Sequence, residues 1–335
     1  MTLYAGTGQP GRVYRYDGGT TWTLVSGDLD AVVLCLCSHN GVFYAGTSTD
    51  IYGAGIGKVY RYSSGTTWTQ VGGDLDNQVA SLITYNGNLI AGTSRDGMKT
   101  YTLDGSNWVL RQNHGHDGTR SMAVIDGNLY EGDWFYDIIY RNGAIVLDPN
   151  VSGIWGSCIW DFAKHDGYIY AGAYAGTYFY SSNGINWTGV TIGDYSYDDN
   201  IWAVESCHNR LYLGGANLRY ITSPGGSETV VMTASVLSLL NYGGVLYIGT
   251  GEEYGWYAGF GAGAVYSYTG SGTPTLISGT LDGGVQVLYT PVFGFNIWVY
   301  KSGAWQPVTD IWARKGGAWQ PVSSVDVNKD GWKPI

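Results

Sequence analysis

NGVFYAGT, residues 40 to 47, is the stretch whose reading decides the fold. It returns with substitutions as NGNLIAGT (86 to 93), DGNLYEGD (126 to 133), DGYIYAGA (166 to 173), NRLYLGGA (209 to 216) and GGVLYIGT (243 to 250). A truncated copy, TLYAGT, stands at residues 2 to 7. The shared glycine falls at Gly6, Gly46, Gly92, Gly132, Gly172, Gly214 and Gly249, a spacing of 35 to 46 residues. Asn-Gly or Asp-Gly between two β-rich runs supplies the positive φ that a tight hairpin needs. Such a hairpin, repeated at this period with no helical pattern inside it, marks a propeller array.

Each copy reads as four strands, A to D. In the second copy they are AVVLCLCS (31 to 38), VFYAGT (42 to 47), KVYRY (58 to 62) and TWTQV (67 to 71). The first copy has no strand A of its own. TLISGTLDGGVQVLYT (275 to 290) matches TLVSGDLDAVVLCLCS (23 to 38), yet no further NG-type turn follows it. Residues 285 to 290 therefore supply the missing strand for the blade begun by residues 3 to 26, which removes the sheet edge an open array would expose. The chain reads as all-β: a seven-bladed β-propeller over residues 1–292, closed by a C-terminal strand pairing with the N-terminal blade. A small β-hairpin module over residues 293–335 follows. Its period is 14 residues, seen in IWVYKSGAWQPVTD (297 to 310), IWARKGGAWQPVSS (311 to 324) and a shortened VDVNKDGWKPI (325 to 335).

Composition agrees. The 53 glycines and 29 tyrosines fit many short strands joined by tight turns. A net charge of −10 argues against nucleic acid as a partner, since neutralising phosphates needs clustered Lys and Arg. No apolar run is long enough to insert into a membrane. Strand-like residues begin at Leu3, so no signal peptide is expected and synthesis is placed in a cytosol. Cys35, Cys37, Cys158 and Cys207 all fall in A strands and form no CxxC, which suits buried, reduced thiols.

Two segments carry a resemblance. The C–D turns YDGGTTW (16 to 22), YSSGTTW (62 to 68), TLDGSNW (102 to 108) and SSNGINW (181 to 187) resemble the Asp-box of sialidase-like and sortilin-like propellers, Ser-x-Asp-x-Gly-x-Thr-Trp. Asp17, Gly19, Thr21 and Trp22 take the Asp, Gly, Thr and Trp places, with Arg15 in place of the serine. Ser63, Leu103 and Ser182 replace the Asp elsewhere. The resemblance implies a structural turn and no catalytic residue. At the other end, the repeated Gly-Ala-Trp-Gln-Pro-Val resembles the Trp-Gly hairpin modules at the C-termini of tailed-bacteriophage tail and tail-tip proteins. It implies a virion protein engaged in host attachment, made in the host cytoplasm, with residues 293–335 meeting other virion proteins.

In a propeller the A–B and C–D turns share one face, and the B–C and D–A connections share the other. Here the second face has the long segments, and binding concentrates where loops exceed what closure needs. It is expected to display Tyr52, Trp134, Tyr136, Trp155, Tyr174, Tyr195, Tyr197, Tyr254, Trp256 and Tyr257, with Arg95 and Asp96 nearby. Aromatic rings with polar tips bury large area yet keep a hydrogen-bonding end, as a sugar or protein partner requires. The plainer alternative is that several fold inward to fill glycine-rich loops.

Catalysis has two suspects. Asp161 stands where other blades have small residues, and Glu205 is matched to the apolar column Leu36, Leu82, Met122, Phe162, Leu239 and Leu288. A buried carboxylate is costly unless paired. His39, His165 and His208 read as one repeated turn position, whereas His114, His116 and Asp117 share one loop that cannot by itself show a metal site. Asp326, Asn328, Asp330 and Gly331 open like a calcium loop but align with the third tail hairpin. No metal and no cofactor is expected. Three functions remain open: a non-enzymatic virion protein binding a host-surface glycan or protein receptor, a structural or decoration protein docking other virion subunits, and a glycan-cleaving enzyme.

Overall fold

The computed structural model describes residues 2–51, 55–94, 98–115, 118–148, 158–192, 199–254 and 257–291, together with 298–301, 304–307, 312–315 and 318–321. For 253–254, 257–260 and the last four segments only the backbone is described. The chain divides into two compact units, Met1–Val292 and Phe293–Ile335.

The first unit is a ring of seven four-stranded antiparallel sheets. Blade 2 shows the common order, with A at Val32–His39, B at Val42–Ser48, C at Gly57–Ser64 and D at Thr67–Gln70. The hairpins form as their turn chemistry dictates: Asn40, Asn86, Asp126 and Asp166 sit at φ 45 to 50°, each followed by a glycine of positive φ. Blade 1 takes its A strand from the far end of the chain. Val285–Tyr289 lies antiparallel to Tyr4–Thr7, with Leu288 opposite Ala5 and Val287 opposite Gly6. The expected closure is the one observed.

Three kinds of contact recur between and within blades, and each explains a repeated letter of the sequence. The shared glycine has no room for a Cβ, because that atom would lie 2.6 to 2.8 Å from the side chain of Val33, Val79, Thr119, Ile159, Ile201, Val236 or Val285, in or just before the next A strand. All seven of those neighbours are β-branched, so a stiff side chain fills the notch that glycine leaves. Three of the four Asp-box tryptophans tie neighbouring blades, Trp22 Nε1 donating to Ile277 O at 2.9 Å, Trp68 to Val25 O at 2.8 Å and Trp108 to Val71 O at 2.9 Å, whereas Trp187 Nε1 is buried with no hydrogen-bond partner among the described residues. Finally, Asp30, Asp76 and Asp282 precede their A strands and anchor strand C of the same blade. They accept from Tyr60, Tyr101 and Tyr14 hydroxyls at 3.1, 2.5 and 2.6 Å, each beside a Lys or Arg partner. The equivalence of Asp282 with Asp30 is what the match of 275–290 to 23–38 anticipates.

Blade 6 corrects the alignment by one residue. Its turn is His208–Asn209, at φ 51 and 55°, so Asn209 takes the place of Gly41 rather than of Asn40. Asparagine tolerates this left-handed conformation, which is why the substitution is hidden in the sequence. Consequently Val204, opposite Leu213, belongs to the Leu36 column; Glu205, opposite Tyr212, belongs one position further on with Cys37 and Leu240. By the same shift His208 is a turn residue, whereas His39 and His165 end their strands.

A second correction concerns residues 250 to 264, which the repeat pattern places in a long B–C loop. There strands Val245–Tyr254 and Tyr257–Tyr268 continue the blade 7 ladder outward, pairing Glu252 with Phe260 and Tyr254 with Tyr257. In the second unit, Trp298–Lys301 pairs with Ala304–Pro307 and Trp312–Lys315 with Ala318–Pro321. Residues 325–335 lie outside the described residues.

All four cysteines are free and buried. Burial pushes the Cys37 thiol up to about 11 and raises Cys35, Cys158 and Cys207 as well.

Candidate functional site

The A strands surround an axial cavity of about 290 Å³. One position before the partner of the shared glycine, blades 2, 3 and 7 present Leu34, Ala80 and Leu237 to it, while blades 4, 5, 6 and 1 present Arg120, Trp160, Trp202 and Gln286. Arg120, Trp160 and Trp202, from consecutive blades, therefore form a cationic and aromatic side, and Gln286 faces them from between Leu237 and Leu34. These residues open their A strands, which places them toward the face of the D–A and B–C connections.

Arg120 carries the charge of the cationic and aromatic side. Its Cζ lies 4.8 Å from the ring centroid of Trp160 and 5.1 Å from that of Trp134, a double cation–π contact. Trp134 meets Trp160 edge-on at 5.4 Å, and Trp160 meets Trp202 at 4.0 Å. Cys158 completes the cluster. Among the described residues, Arg120 Nε, Trp160 Nε1 and Trp202 Nε1 are buried with no hydrogen-bond partner. Desolvation lowers the Arg120 pKa from its ordinary value, opposed chiefly by the nearby thiols and by Asp161. A guanidinium enclosed in this way, without an anion bonded to it, is an unusual expense for a fold.

Asp161 borders the same cavity one position deeper, and its partial exposure opens onto the cavity. Its Oδ1 accepts from Phe162 N at 2.8 Å and its Oδ2 from Val204 N, in the next blade, at 3.0 Å. Glu205 repeats the device one blade on: Oε1 accepts from Ser206 N at 2.8 Å and Oε2 from Asn241 N at 3.2 Å. Desolvation drives each carboxyl up to about 7, and the accepted N–H bonds hold it from rising further. Both suspects thus bridge adjacent blades, and neither is hydrogen-bonded to the other.

Of the expected aromatic display, Trp134 joins the Arg120 cluster. Tyr136 is half-buried against Met98, Ile138 and Tyr140, and Tyr174 is buried, with its carbonyl accepting from Thr177 N at 3.1 Å. For Tyr174, then, the inward-folded alternative is the observed one, because the glycine-containing turn after it draws the loop back onto the blade. Tyr52, Arg95, Asp96, Trp155, Tyr195, Tyr197 and Trp256 lie outside the described residues, as do the side chains of Tyr254 and Tyr257.

Sequence reasoning missed Arg120, Trp160 and Trp202. The signal was present: counting back twelve residues from the shared glycine of blades 2 to 7 makes Arg120 the one charged residue in a column of Leu, Ala and Trp.

His114 serves structure. It stacks on Tyr140 at 3.7 Å and approaches Glu131, with Nε2 3.8 Å from Oε2. His116 and Asp117 lie outside the described residues, among which no group of three His, Cys, Asp or Glu converges. A second cavity, about 490 Å³, lies on the short-turn face beside His165 and His208, whose rings are bonded to Ser206 Oγ and Gly244 O at 2.9 Å.

No family model and no curated protein matches the chain. Solved structures do. Sqt1 of Saccharomyces cerevisiae superposes with a TM-score of 0.58 at 12% identity, over 85% of this chain and 84% of that one. The WD40 β-propeller domain of Doa1 gives 0.55 at 17%, over 74% and 86%. The extracellular domain named as that of a hybrid two-component system of B. thetaiotaomicron gives 0.57 at 16%, over 89% of this chain but 38% of that one. The chain thus spans well under two thirds of that last structure. Identities this low speak for the fold alone. What they establish, with the seven sheets, is the β-propeller fold.

Proposed function

We propose that this chain is a non-enzymatic component of a bacteriophage tail or tail tip that binds a host-surface glycan or protein receptor through the face carrying the D–A and B–C connections. The observation that carries the binding reading is the cluster of Arg120, Trp134, Trp160 and Trp202 at that end of the axial cavity, with indole and guanidinium N–H groups unpaired among the described residues. Flat aromatic faces beside free donors suit a ligand with apolar ring faces and many oxygens. The virion setting rests on the GAWQPV repeat, through which residues 293–335 would meet other virion proteins. Catalysis is disfavoured because both oxygens of Asp161 and of Glu205 are engaged by backbone N–H groups.

A glycan array probed with the whole chain, and with a Trp134→Ala variant, tests the reading. Retention that falls in the variant supports it. A specific observation favours a second reading, that of a structural or decoration protein. Val109, Leu110, Ile145 and Val230, all on outer D strands, are half-exposed apolar residues available to a lateral neighbour. An empty array together with capture of purified virion subunits would establish that second role.

A further inference from the structure

The glycan reading leaves open which chemical group the axial cavity recognises, and the cavity itself answers that. Four features converge. A guanidinium lines the cavity with no hydrogen bond or ion pair to any described residue, held only by the faces of Trp134 and Trp160. Removing a charge from water without a partner is costly, so a fold that keeps such a cation has a use for it. The planar fork of Arg matches a carboxylate or other oxyanion through two parallel N–H bonds. The cavity, about 290 Å³, lies at the lower end of ligand pockets and is sized for one ring rather than a chain. Its remaining polar lining is also sugar-like. The Asp161 carboxyl, on the blade next to that of Arg120, can accept from a hydroxyl, and Gln286 faces it from across the cavity.

We infer that the axial cavity receives a single carboxylate-bearing sugar, the acidic residue of a host-surface glycan, with its carboxylate on the Arg120 guanidinium. This rests on the glycan-binding reading given above. The hydroxyls of the sugar meet Asp161 and Gln286, and a ring face lies against the indoles. Leu34 and Leu237, which flank Gln286, pack the opposite side of the ring. Neutral sugars leave the guanidinium unpaired and are refused by that cost. An apolar or cationic ligand is refused for the same reason.

The experiment uses the full chain. Titration with free glucuronate, followed by the emission of the tryptophans, should saturate, while glucose produces no saturable change. Arg120→Gln should weaken glucuronate binding by about tenfold or more, the scale of losing a charge-assisted pair of hydrogen bonds. Arg120→Lys, which keeps the charge but loses the fork, should fall in between. On an array, carboxylated glycans should be retained and their carboxyl-reduced counterparts released. Equal affinity for glucose and glucuronate, or an Arg120→Lys variant that binds glucuronate like the parent, overturns the inference. If neutral glycans are retained and only Trp134→Ala abolishes them, the binding face stands and the acidic subsite falls. Retention of sulfated but not carboxylated sugars overturns the carboxylate assignment. Because the fluorescence titration of the parent needs no substitution, a variant that fails to fold leaves the inference testable.

Discussion

Arg111 Nη1 lies 3.0 Å from Glu131 Oε1 across the boundary between blades 3 and 4, joining a partly exposed guanidinium to a carboxylate with no exposed surface. Glu131 takes the place that Ala5, Ala45, Ala91 and Ala171 hold in other copies of the repeat. The asymmetry of burial fixes the sign of a double-mutant cycle. Arg111→Ala strands a fully buried carboxylate and should cost about 3–5 kcal/mol of unfolding free energy. Glu131→Ala strands only a cation that solvent already reaches and restores the residue of the other blades, so its cost should be much smaller. The double variant should resemble Glu131→Ala in urea denaturation, and equal single losses would refute the account.

Gly92→Ala should destabilise the ring. The added Cβ would meet Ser81 Oγ at 2.7 Å and Thr119 Cγ2 at 2.8 Å, both on packed A strands. Overpacking of this kind costs about 1–3 kcal/mol. Chemical denaturation should show a lower midpoint with the slope unchanged. Pairing the change with Thr119→Ser, which removes the opposing methyl, should recover part of the loss.

Asp161 and Glu205 give the protein a pH signature. Each carboxyl is raised to about 7 in the folded state, chiefly by desolvation. Between the ordinary carboxylate range and that value, the folded chain holds protons that the unfolded chain has released. Their contribution to stability is therefore complete below the unfolded values and is lost as pH rises through the folded ones. His39 and His165, pushed down by burial, work in the opposite direction on the acid side. The clean measurement is the difference between the parent and an Asp161→Asn, Glu205→Gln variant. From about pH 4 to a little above pH 7 the parent should lose stability relative to the variant. A difference that does not change with pH would show the two carboxyls to be ordinary.

The thiols should be silent in the native state. With all four cysteines buried and their thiols raised by that burial, iodoacetamide at about pH 8 should label none until denaturant is added. Mass spectrometry of the alkylated protein reads the result directly. Rapid native labelling of Cys37 would mean that blade 2 opens locally.

The architecture was legible because it is written in short-range chemistry. Asn40-Gly41 and its counterparts announce their own turns, and the likeness of 275–290 to 23–38 locates the closing strand without any knowledge of its partner. The site was far less legible. Arg120 draws its meaning from two indoles, Trp134 and Trp160, contributed by other strands, and no local pattern predicts that meeting. Tyr174 is the complementary case: aromatic content says a ring will be buried against something, and only tertiary packing says whether that is a ligand or the protein itself. The one-residue slip at Glu205 came from trusting Asn209 as a landmark, when either turn position accepts asparagine.

The pairing of Val285–Tyr289 with Tyr4–Thr7 has a consequence for biosynthesis. During translation, Tyr4–Thr7 leaves the ribosome long before the segment that will lie beside it. The six intervening blades can each be completed from neighbouring residues while this strand waits. Polymer entropy makes the wait inexpensive, since each doubling of a loop adds only about 0.6 kcal/mol. Kinetically it is the vulnerable interval, because an unpaired strand accepts any suitable neighbour. On a crowded polysome, two nascent copies are expected to donate their late strands to each other, so that the misassembled by-product of synthesis is a reciprocal dimer exchanging one strand.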